Sequence, residues 1–566
     1  MKTRKIVEGF EPYDYPEGSR RKYIRLDFGE NTIGCSRKVI DRLRRVTAED
    51  LSIYPEYNIV GKLASFLKIK PGNIILTNGS DDALRLMMEA YLDKDEEVIL
   101  MEPSFSMFEF YAKLREAKVK KVLLGKDLGF DKNASLEAIS DKTKAVVLCN
   151  PNNPTGTVIP RDAIIEIIEK TKGVVIVDEA YFDFYGESVI DLIETYDNLA
   201  VTRTFSKQAG LAGVRIGAAI SNEKVISNLK KISSPFAVNA LACIALDAAL
   251  DDWKFVSDYV SSVKESKKFL FNEFRRLKIK TYPTQANFFI ADFGEDVKKI
   301  CSILKRQGIL IRDRSSMPLL SGCARITIGT LEESKRLVSE IEKIQKLLNL
   351  DTLLFDMDGV LVDVSRSYRV AIKKTAESFM EKSVSFEEIQ KYKERGGLNN
   401  DWDCTIAILK DNNVSVSKEE VIRRFDKIYL GGEIDNEKLI IDIEILERLS
   451  NRFRLGIVTG RPKRDADYTI DKFCLRRFFS TIITLDDVRE GKPDPEGILI
   501  AKKALKGKNA IYIGDTVDDI NAAKSAGIPC IGIVPPSPSE NTKGLLGSAG
   551  AAIVLESINE ICEVLR

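Results

Sequence analysis

Val201-Thr202-Arg203-Thr204-Phe205-Ser206-Lys207-Gln208-Ala209-Gly210-Leu211-Ala212-Gly213-Val214-Arg215 sets a lysine in a hydroxyl-rich turn, ahead of a glycine-containing segment and eight residues before an arginine. Thr204, Ser206 and Arg215 can together hold a phosphate beside the Lys207 amine, which is what pyridoxal 5'-phosphate requires when a lysine carries it. Ser/Lys turns are common, so the reading depends on what surrounds this one. Upstream, the apolar run Val174-Val175-Ile176-Val177 ends at Asp178-Glu179-Ala180-Tyr181, which puts Asp178 at the C-terminal end of a buried strand, the ligand edge of a parallel sheet. A carboxylate there can keep a pyridine nitrogen protonated; it can equally be a plain helix N-cap. Asn150-Pro151-Asn152-Asn153-Pro154-Thr155-Gly156 ends another strand and carries Asn153 to the same edge, though alone it is an ordinary turn. Asn78-Gly79-Ser80-Asp81-Asp82-Ala83 is a strand-to-helix turn whose amides at Ser80 and Asp81 offer a phosphate site at a helix N-terminus. Four such pieces in order are much harder to reach by chance than any one.

Outward from these motifs, short β-branched runs (Asn73 to Thr77, Glu97 to Leu100, Ala145 to Cys149) alternate with helical apolar spacing such as Ala83 to Met88. The alternation predicts an α/β layered domain over about residues 45–223. A smaller α+β domain is expected from the N-terminal arm and about 224–348, its short sheet signalled by Asn287-Phe288-Phe289-Ile290-Ala291 and Ala324-Arg325-Ile326-Thr327-Ile328.

Residues 10–345 resemble the fold-type-I aminotransferases, and within them the histidinol-phosphate aminotransferase family. Two further stretches, Gly308-Ile309-Leu310-Ile311-Arg312-Asp313-Arg314 and Gly322-Cys323-Ala324-Arg325-Ile326-Thr327-Ile328-Gly329-Thr330, carry that resemblance. It implies that Lys207 bears the cofactor and shuttles the proton, that Tyr181 and Asn153 bond the ring hydroxyl, and that Phe105 in Pro103-Ser104-Phe105 stacks on the ring. It implies that Arg325 holds an anionic group of the substrate and that Tyr13 and Asn287 line the substrate pocket. Tyr54 would reach the cofactor phosphate of a neighbouring subunit, which implies a homodimer. Where the family shows Asn-Glu-Asn-Pro, this chain has Gly29-Glu30-Asn31-Thr32, so Asn31 alone keeps its place; Phe105 stands where Tyr is common. Both departures bear on the substrate rather than the chemistry.

After residue 350 a second constellation begins. Leu353-Leu354-Phe355-Asp356-Met357-Asp358-Gly359-Val360-Leu361 places two aspartates two apart at a strand end, where they could simply bind a cation. The flanks instead resemble the DxD segment of the haloacid-dehalogenase superfamily, whose first aspartate attacks phosphorus and whose second protonates the leaving oxygen and then activates water. Thr459 in Ile457-Val458-Thr459-Gly460, Lys492 in Gly491-Lys492-Pro493-Asp494-Pro495, and Gly514-Asp515-Thr516-Val517-Asp518-Asp519 follow in the family's order. The resemblance makes Thr459 and Lys492 phosphoryl ligands, and makes Asp356, Asp358, Asp515 and Asp519 the shell of a magnesium ion. The expected domain, residues 350–566, is doubly wound, with a helical cap over about 363–445 like that of phosphoglycolate phosphatases. Within the cap, Arg395 and Asn399 belong either to a substrate-reading loop or to a plain connection.

The bulk numbers agree with small-molecule enzymes. At 566 residues the chain exceeds what one core supports. The 86 basic and 85 acidic side chains cancel, leaving no field for nucleic acid or an anionic membrane. Nine scattered cysteines, no secretory-type N-terminus and no long apolar run predict a reduced, cytoplasmic protein. Histidine is absent, so acid/base work falls to Asp, Glu, Lys or Tyr.

The aminotransferase resemblance implies conversion of imidazole acetol phosphate and glutamate into histidinol phosphate and 2-oxoglutarate, and the next step of that synthesis removes the phosphate. The expected whole is therefore a bifunctional enzyme whose second half hydrolyses histidinol phosphate. Phosphoglycolate or another small ester as substrate, another amino-acid substrate for the first half, and a structural or regulatory second half are the rival readings.

Overall fold

The structure, a computed structural model, describes residues 3–11, 18–380, 382–394, 400–538 and 541–565. The chain divides into two compact units, residues 1–341 and 342–566.

The first unit is built on a seven-stranded sheet of β1 (Ile74–Thr77), β2 (Glu97–Glu102), β3 (Lys118–Leu123), β4 (Thr143–Cys149), β5 (Val174–Asp178), β6 (Leu199–Thr204) and β7 (Gly217–Ser221). The order is β1-β7-β6-β5-β4-β2-β3. Only β7 runs antiparallel to its neighbours. Both faces are buried, which is why the strands read as continuous apolar runs. Val146, Leu148, Val175 and Val177 point to one core; Ala145, Val147, Val174 and Ile176 point to the other. The helix α1 (Ser80–Tyr91) starts directly after β1. Sequence spacing missed β3, whose side chains are largely exposed, and the short return strand β7.

The helices α2 (Glu223–Ile232) and α3 (Ala240–Leu250) belong to the cores of this large sheet, through Val225, Ile226 and Leu229 on one side and Ala242, Ala245 and Leu246 on the other. The large domain thus continues beyond the expected limit near 223, as far as Val256 in α4 (Trp253–Arg276). The loss of β-type runs after 223 marked a change of element, while burial decides the domain. Next comes an antiparallel sheet of β8 (Lys280–Thr281), β9 (Phe288–Asp292), β10 (Arg312–Asp313) and β11 (Cys323–Thr327), in the order β10-β11-β9-β8. The N-terminal arm joins this region through Ile24–Arg25, paired in parallel with Ile309–Leu310. The helix α5 (Leu331–Leu348) carries the division between the units within it, not after it. No Gly or Pro interrupts Glu342 to Leu348, so the helix continues through the change.

The second unit holds a six-stranded parallel sheet of β12 (Thr352–Phe355), β15 (Arg454–Val458), β16 (Thr481–Ile483), β17 (Ala510–Gly514), β18 (Cys530–Ile533) and β19 (Ile553–Leu555), in the order β16-β15-β12-β17-β18-β19. Between β12 and β15 lies a helical insertion entered and left by the antiparallel pair β13 (Val362–Asp363) and β14 (Lys438–Leu439). Its helices α6 (Tyr368–Phe379), α7 (Phe386–Glu394), α8 (Asp401–Asp411) and α9 (Lys418–Tyr429) enclose a core of their own around Ile372, Ile408 and Phe425. The helix α10 (Val517–Ser525) follows β17, started by a capping box between Thr516 and Asp519.

Candidate active sites

In the first unit the central strands end at one edge and deliver their side chains there. Asp178 closes β5, nearly fully buried. Thr202 Oγ1 of β6 donates to its Oδ1 at 2.7 Å, and the Ala180 amide adds a bond of 3.2 Å. Burial outweighs those bonds and raises its pKa to about 6. Lys207 follows β6; its Nζ donates to the Phe28 carbonyl at 2.9 Å and stands 5.6 Å from the centre of the Tyr181 ring. Burial, reinforced by the Arg325 charge, lowers the lysine pKa to about 8. Tyr181 packs edge-on to Phe288, and burial raises its phenol. Arg325, on β11, donates from Nη1 to Asn153 Oδ1 at 2.5 Å and from Nη2 to the Asp27 carbonyl at 2.6 Å, with its guanidinium 5.0 Å from the Phe288 ring. Asn287 Nδ2 donates to the Gly29 carbonyl at 3.1 Å.

A second group gathers at the start of α1. Gly79 precedes the helix at φ 82° and provides no side-chain cap, which leaves the first-turn amides at Ser80 and Asp81 to another partner. A Cβ on Gly79 would stand 2.6 Å from Arg215 Nη2, so the guanidinium occupies the space that a side chain would take. Arg215 also bonds Asp81 Oδ2 at 3.0 Å. Thr204 and Ser206 share a hydroxyl hydrogen bond of 3.0 Å. A helix N-terminus, an arginine and two hydroxyls are a donor set suited to a phosphate, next to a lysine whose amine burial favours as neutral.

Other expected residues fall elsewhere. Asn31 is spent on backbone: its Nδ2 donates to the Gln208 carbonyl at 3.0 Å and its Oδ1 accepts from the Ile33 and Gly34 amides. Phe105 precedes the helix Ser106–Leu114 and meets Phe108 edge-on. Tyr54 is 71% exposed and stacks on Phe236, itself 48% exposed, outside this cluster. Tyr13, Arg395 and Asn399 lie outside the described residues.

In the second unit, Asp356 follows β12, Thr459 follows the adjacent β15, and Asp515 follows β17 on the other side. One carboxylate oxygen from each of Asp356, Asp515 and Asp519 lies within 4.8 Å of the others. Burial raises Asp356 to about 7 against the pull of Lys492, and burial with the Asp519 and Asp356 charges holds Asp515 well above the usual carboxylate range. Lys492 Nζ bridges the group, 2.8 Å from Asp356 Oδ1 and 2.6 Å from Asp519 Oδ1. Burial would lower this ammonium, but Asp356 and Asp519 raise it well above its ordinary value. Gly359, at φ 71°, packs so closely on Asp515 Oδ2 that a Cβ there would collide with it. Three hard oxygen ligands in this space, two of them buried and Asp515 half-buried, suit a divalent cation of the magnesium type. Asp358 is not in the triad; its Oδ1 is held by Arg461. A cavity of about 130 Å³ opens on Asp356, Asp358 and Asp515 from the insertion side, where Tyr368, Lys393 and Trp402 line it.

The model of the family described as "Aminotransferase class I and II" matches residues 21–341, more than half of the chain. The chain belongs to the class I and II aminotransferase family. This aminotransferase also carries a haloacid dehalogenase-like hydrolase domain, matched over residues 353–533, so it is an enzyme with a transferase and a hydrolase unit. Over 349 residues the aminotransferase is 34% identical to the histidinol-phosphate aminotransferase of a Thermoanaerobacter species, an alignment covering 60% of this chain and 98% of the relative. With that of Clostridium novyi it is 35% identical, covering 60% and 96%. The solved histidinol-phosphate aminotransferase of Sinorhizobium meliloti, in complex with pyridoxal-5'-phosphate, shares the fold at a TM-score of 0.55 and 23% identity, covering 60% of this chain and 96% of that one.

Several residues of this aminotransferase's two sites escaped the sequence reading. Arg461 stands just beyond the Thr459 motif, and its place between Gly460 and Pro462 at that strand end was the available signal; its burial appears only in the structure. The Phe28 and Asp27 carbonyls that hold Lys207 and Arg325 are backbone atoms, which no residue type announces. Lys393 and Asp401 form an enclosed ion pair of 2.7 Å in the lining of the second unit's cavity.

Proposed function

We propose that the first unit is a pyridoxal-phosphate-dependent histidinol-phosphate aminotransferase and the second a magnesium-dependent phosphatase that removes the phosphate of histidinol phosphate, so that one cytoplasmic chain performs two successive reactions of histidine synthesis. The observation that carries the first reading is the cluster of Lys207, Asp178 and Tyr181 beside the open α1 N-terminus, in a unit whose relatives are named for that activity. Ser80, Asp81, Thr204, Ser206 and Arg215 would hold the cofactor phosphate, Asp178 the ring nitrogen, and Tyr181 with Asn153 the ring hydroxyl. When bound, the cofactor supplies an electron sink for the carbanion left at the substrate Cα. Lys207, whose pKa burial lowers to about 8 so that the neutral amine lies much closer to reach than in an ordinary lysine, takes and returns the Cα proton. Arg325 binds a substrate carboxylate or phosphate, and Asn287 and Tyr13 border that pocket. Tyr54 and Phe236 present an exposed aromatic pair that a second copy would cover, with Tyr54 reaching that copy's cofactor phosphate.

The carboxylate triad with its bridging lysine supports the second reading. Asp356, Asp515 and Asp519, with the Asp358 carbonyl, would hold Mg2+, which supplies charge neutralisation at the phosphoryl group. Asp356 attacks phosphorus, Thr459 and Lys492 hold the equatorial oxygens, and Asp358 gives a proton to the leaving oxygen. No helix of the described residues is long and apolar enough to cross a membrane.

The deciding assay is release of inorganic phosphate from histidinol phosphate by the purified chain with Mg2+, beside an Asp356→Asn control. Release lost in the control and on chelation is the expected result. No release, with turnover of phosphoglycolate or another ester, would replace the substrate and sever the link between the two reactions.

A further inference from the structure

Arg461 is among the largest fully buried side chains in the chain, and its surroundings are unusual for an arginine. Nε donates to Asp358 Oδ1 at 2.7 Å, and Nη2 stands 2.6 Å from the same oxygen as an ion pair. On its other side Nη2 lies 3.0 Å from Glu437 Oε1, and Nη1 donates to Glu437 Oε2 at 3.2 Å and to Thr469 Oγ1 at 2.6 Å. Glu437 accepts in turn from Tyr429 OH at 2.7 Å and from Thr469 Oγ1 at 2.6 Å. The Tyr368 ring lies 4.8 Å from the guanidinium carbon. A buried cation held between two carboxylates is costly to build and well fixed once built.

Two features of this cluster bear on Asp358. First, both contacts from Arg461 fall on one oxygen. Among the described residues no hydrogen bond reaches Oδ2, while the side chain lines the cavity and is 30% exposed. Oδ1 is thus taken up by the guanidinium, and Oδ2 is the oxygen left to face the cavity. Second, Glu437 directly precedes β14, Tyr368 opens the helix that follows β13, and Tyr429 ends α9, so the cluster sits where the helical insertion is rooted in the sheet domain.

We infer that Arg461 is a positioning residue: anchored by Glu437 at the root of the insertion, it pins Oδ1 of Asp358 and so aims Oδ2 at the leaving oxygen of a phosphate ester. This rests on the phosphatase reading above. In the step concerned, an Asp356 oxygen forms a bond to phosphorus and the phosphorus–ester oxygen bond breaks. The departing electron pair goes to the ester oxygen, which takes the proton from Asp358 Oδ2. In the next, water attacks phosphorus and gives its proton to that carboxylate, and Asp356 is released with inorganic phosphate.

The test exploits leaving groups. p-Nitrophenolate departs without a proton, whereas an alkoxide needs one. For each variant, kcat/KM is measured on p-nitrophenyl phosphate and on whichever of histidinol phosphate, phosphoglycolate and glycerol phosphate the unaltered chain turns over fastest. Because kcat/KM reports only steps up to the first irreversible one, hydrolysis of phosphorylated Asp356 drops out. Arg461→Met should lose on the order of 10²-fold on the alkyl ester and less than about threefold on the aryl ester. Arg461→Lys and Glu437→Gln, which keep the cluster's size, should show the same selective loss in smaller measure, and they decide the matter if Arg461→Met does not fold. Equal losses on both esters, or none, in the variants that fold would overturn the inference. Failure of the unaltered chain to hydrolyse any ester would overturn the phosphatase reading itself.

Discussion

Lys492 Nζ lies 2.8 Å from Asp356 Oδ1 and joins that carboxylate to Asp519, placing a buried ammonium within a group of three acids. Lys492→Met leaves those acids facing one another without a cation. Phosphoester hydrolysis should fall on the order of 10²-fold or more. The second unit should lose about 3–5 kcal/mol of stability in chelator, part of which Mg2+ restores. Thermal unfolding with and without Mg2+ checks both; an unchanged midpoint in chelator would contradict the charge argument.

Asp178 is held at a pKa of about 6 by burial, above its value in an unfolded chain. With a raised folded pKa, its contribution to stability is fully present below about pH 4 and is lost as the pH rises through about 6. In the cofactor-free chain, Asp178→Asn should therefore stabilise the first unit at pH 8 by up to about 3 kcal/mol and do little at pH 4. Transamination should meanwhile drop about 10²- to 10³-fold. Urea unfolding of the apo chain at the two pH values reads the first effect, and steady-state rates read the second.

Gly79 combines φ 82° with a guanidinium 2.6 Å from where a Cβ would be. Gly79→Ala must move Arg215 or the start of α1, so affinity for pyridoxal phosphate should fall about tenfold or more, while phosphate-ester hydrolysis by the second unit stays intact. Equilibrium dialysis with the cofactor measures the loss; undiminished binding would remove the phosphate from this end of the helix.

Tyr54 and Phe236 stack in the open, with Leu51 and Ile53 exposed nearby in sequence. If a second copy covers them, Tyr54→Asp with Phe236→Asp should convert the chain to monomers in sedimentation and reduce transamination on the order of tenfold or more. A chain that is already monomeric before substitution would leave Tyr54 with no phosphate to reach.

Much of the fold is legible in the sequence. The buried strands announced themselves because both sheet faces are covered, so Val174 to Val177 and Thr352 to Phe355 read as unbroken apolar runs. The edge strand Lys118–Leu123 did not, since its lysines face outward and leave no hydrophobic period. Asp178, Lys207 and Asp356 stood out as candidates because each expected chemistry needs a particular residue type at or just after a strand end.

The sequence by itself determined two sets of candidate site residues, their order and the largely parallel sheets that present them, because local apolar patterning and motif spacing are properties of contiguous residues. Only the tertiary structure decided that Arg325 rests on Asn153 and a backbone carbonyl, that Arg203 pairs with Glu179 in the interior, and that Arg461 holds Asp358 by one oxygen against Glu437. These contacts join residues distant in the chain, in places where burial makes each charge seek a partner, and the partner is chosen by packing rather than by sequence neighbourhood.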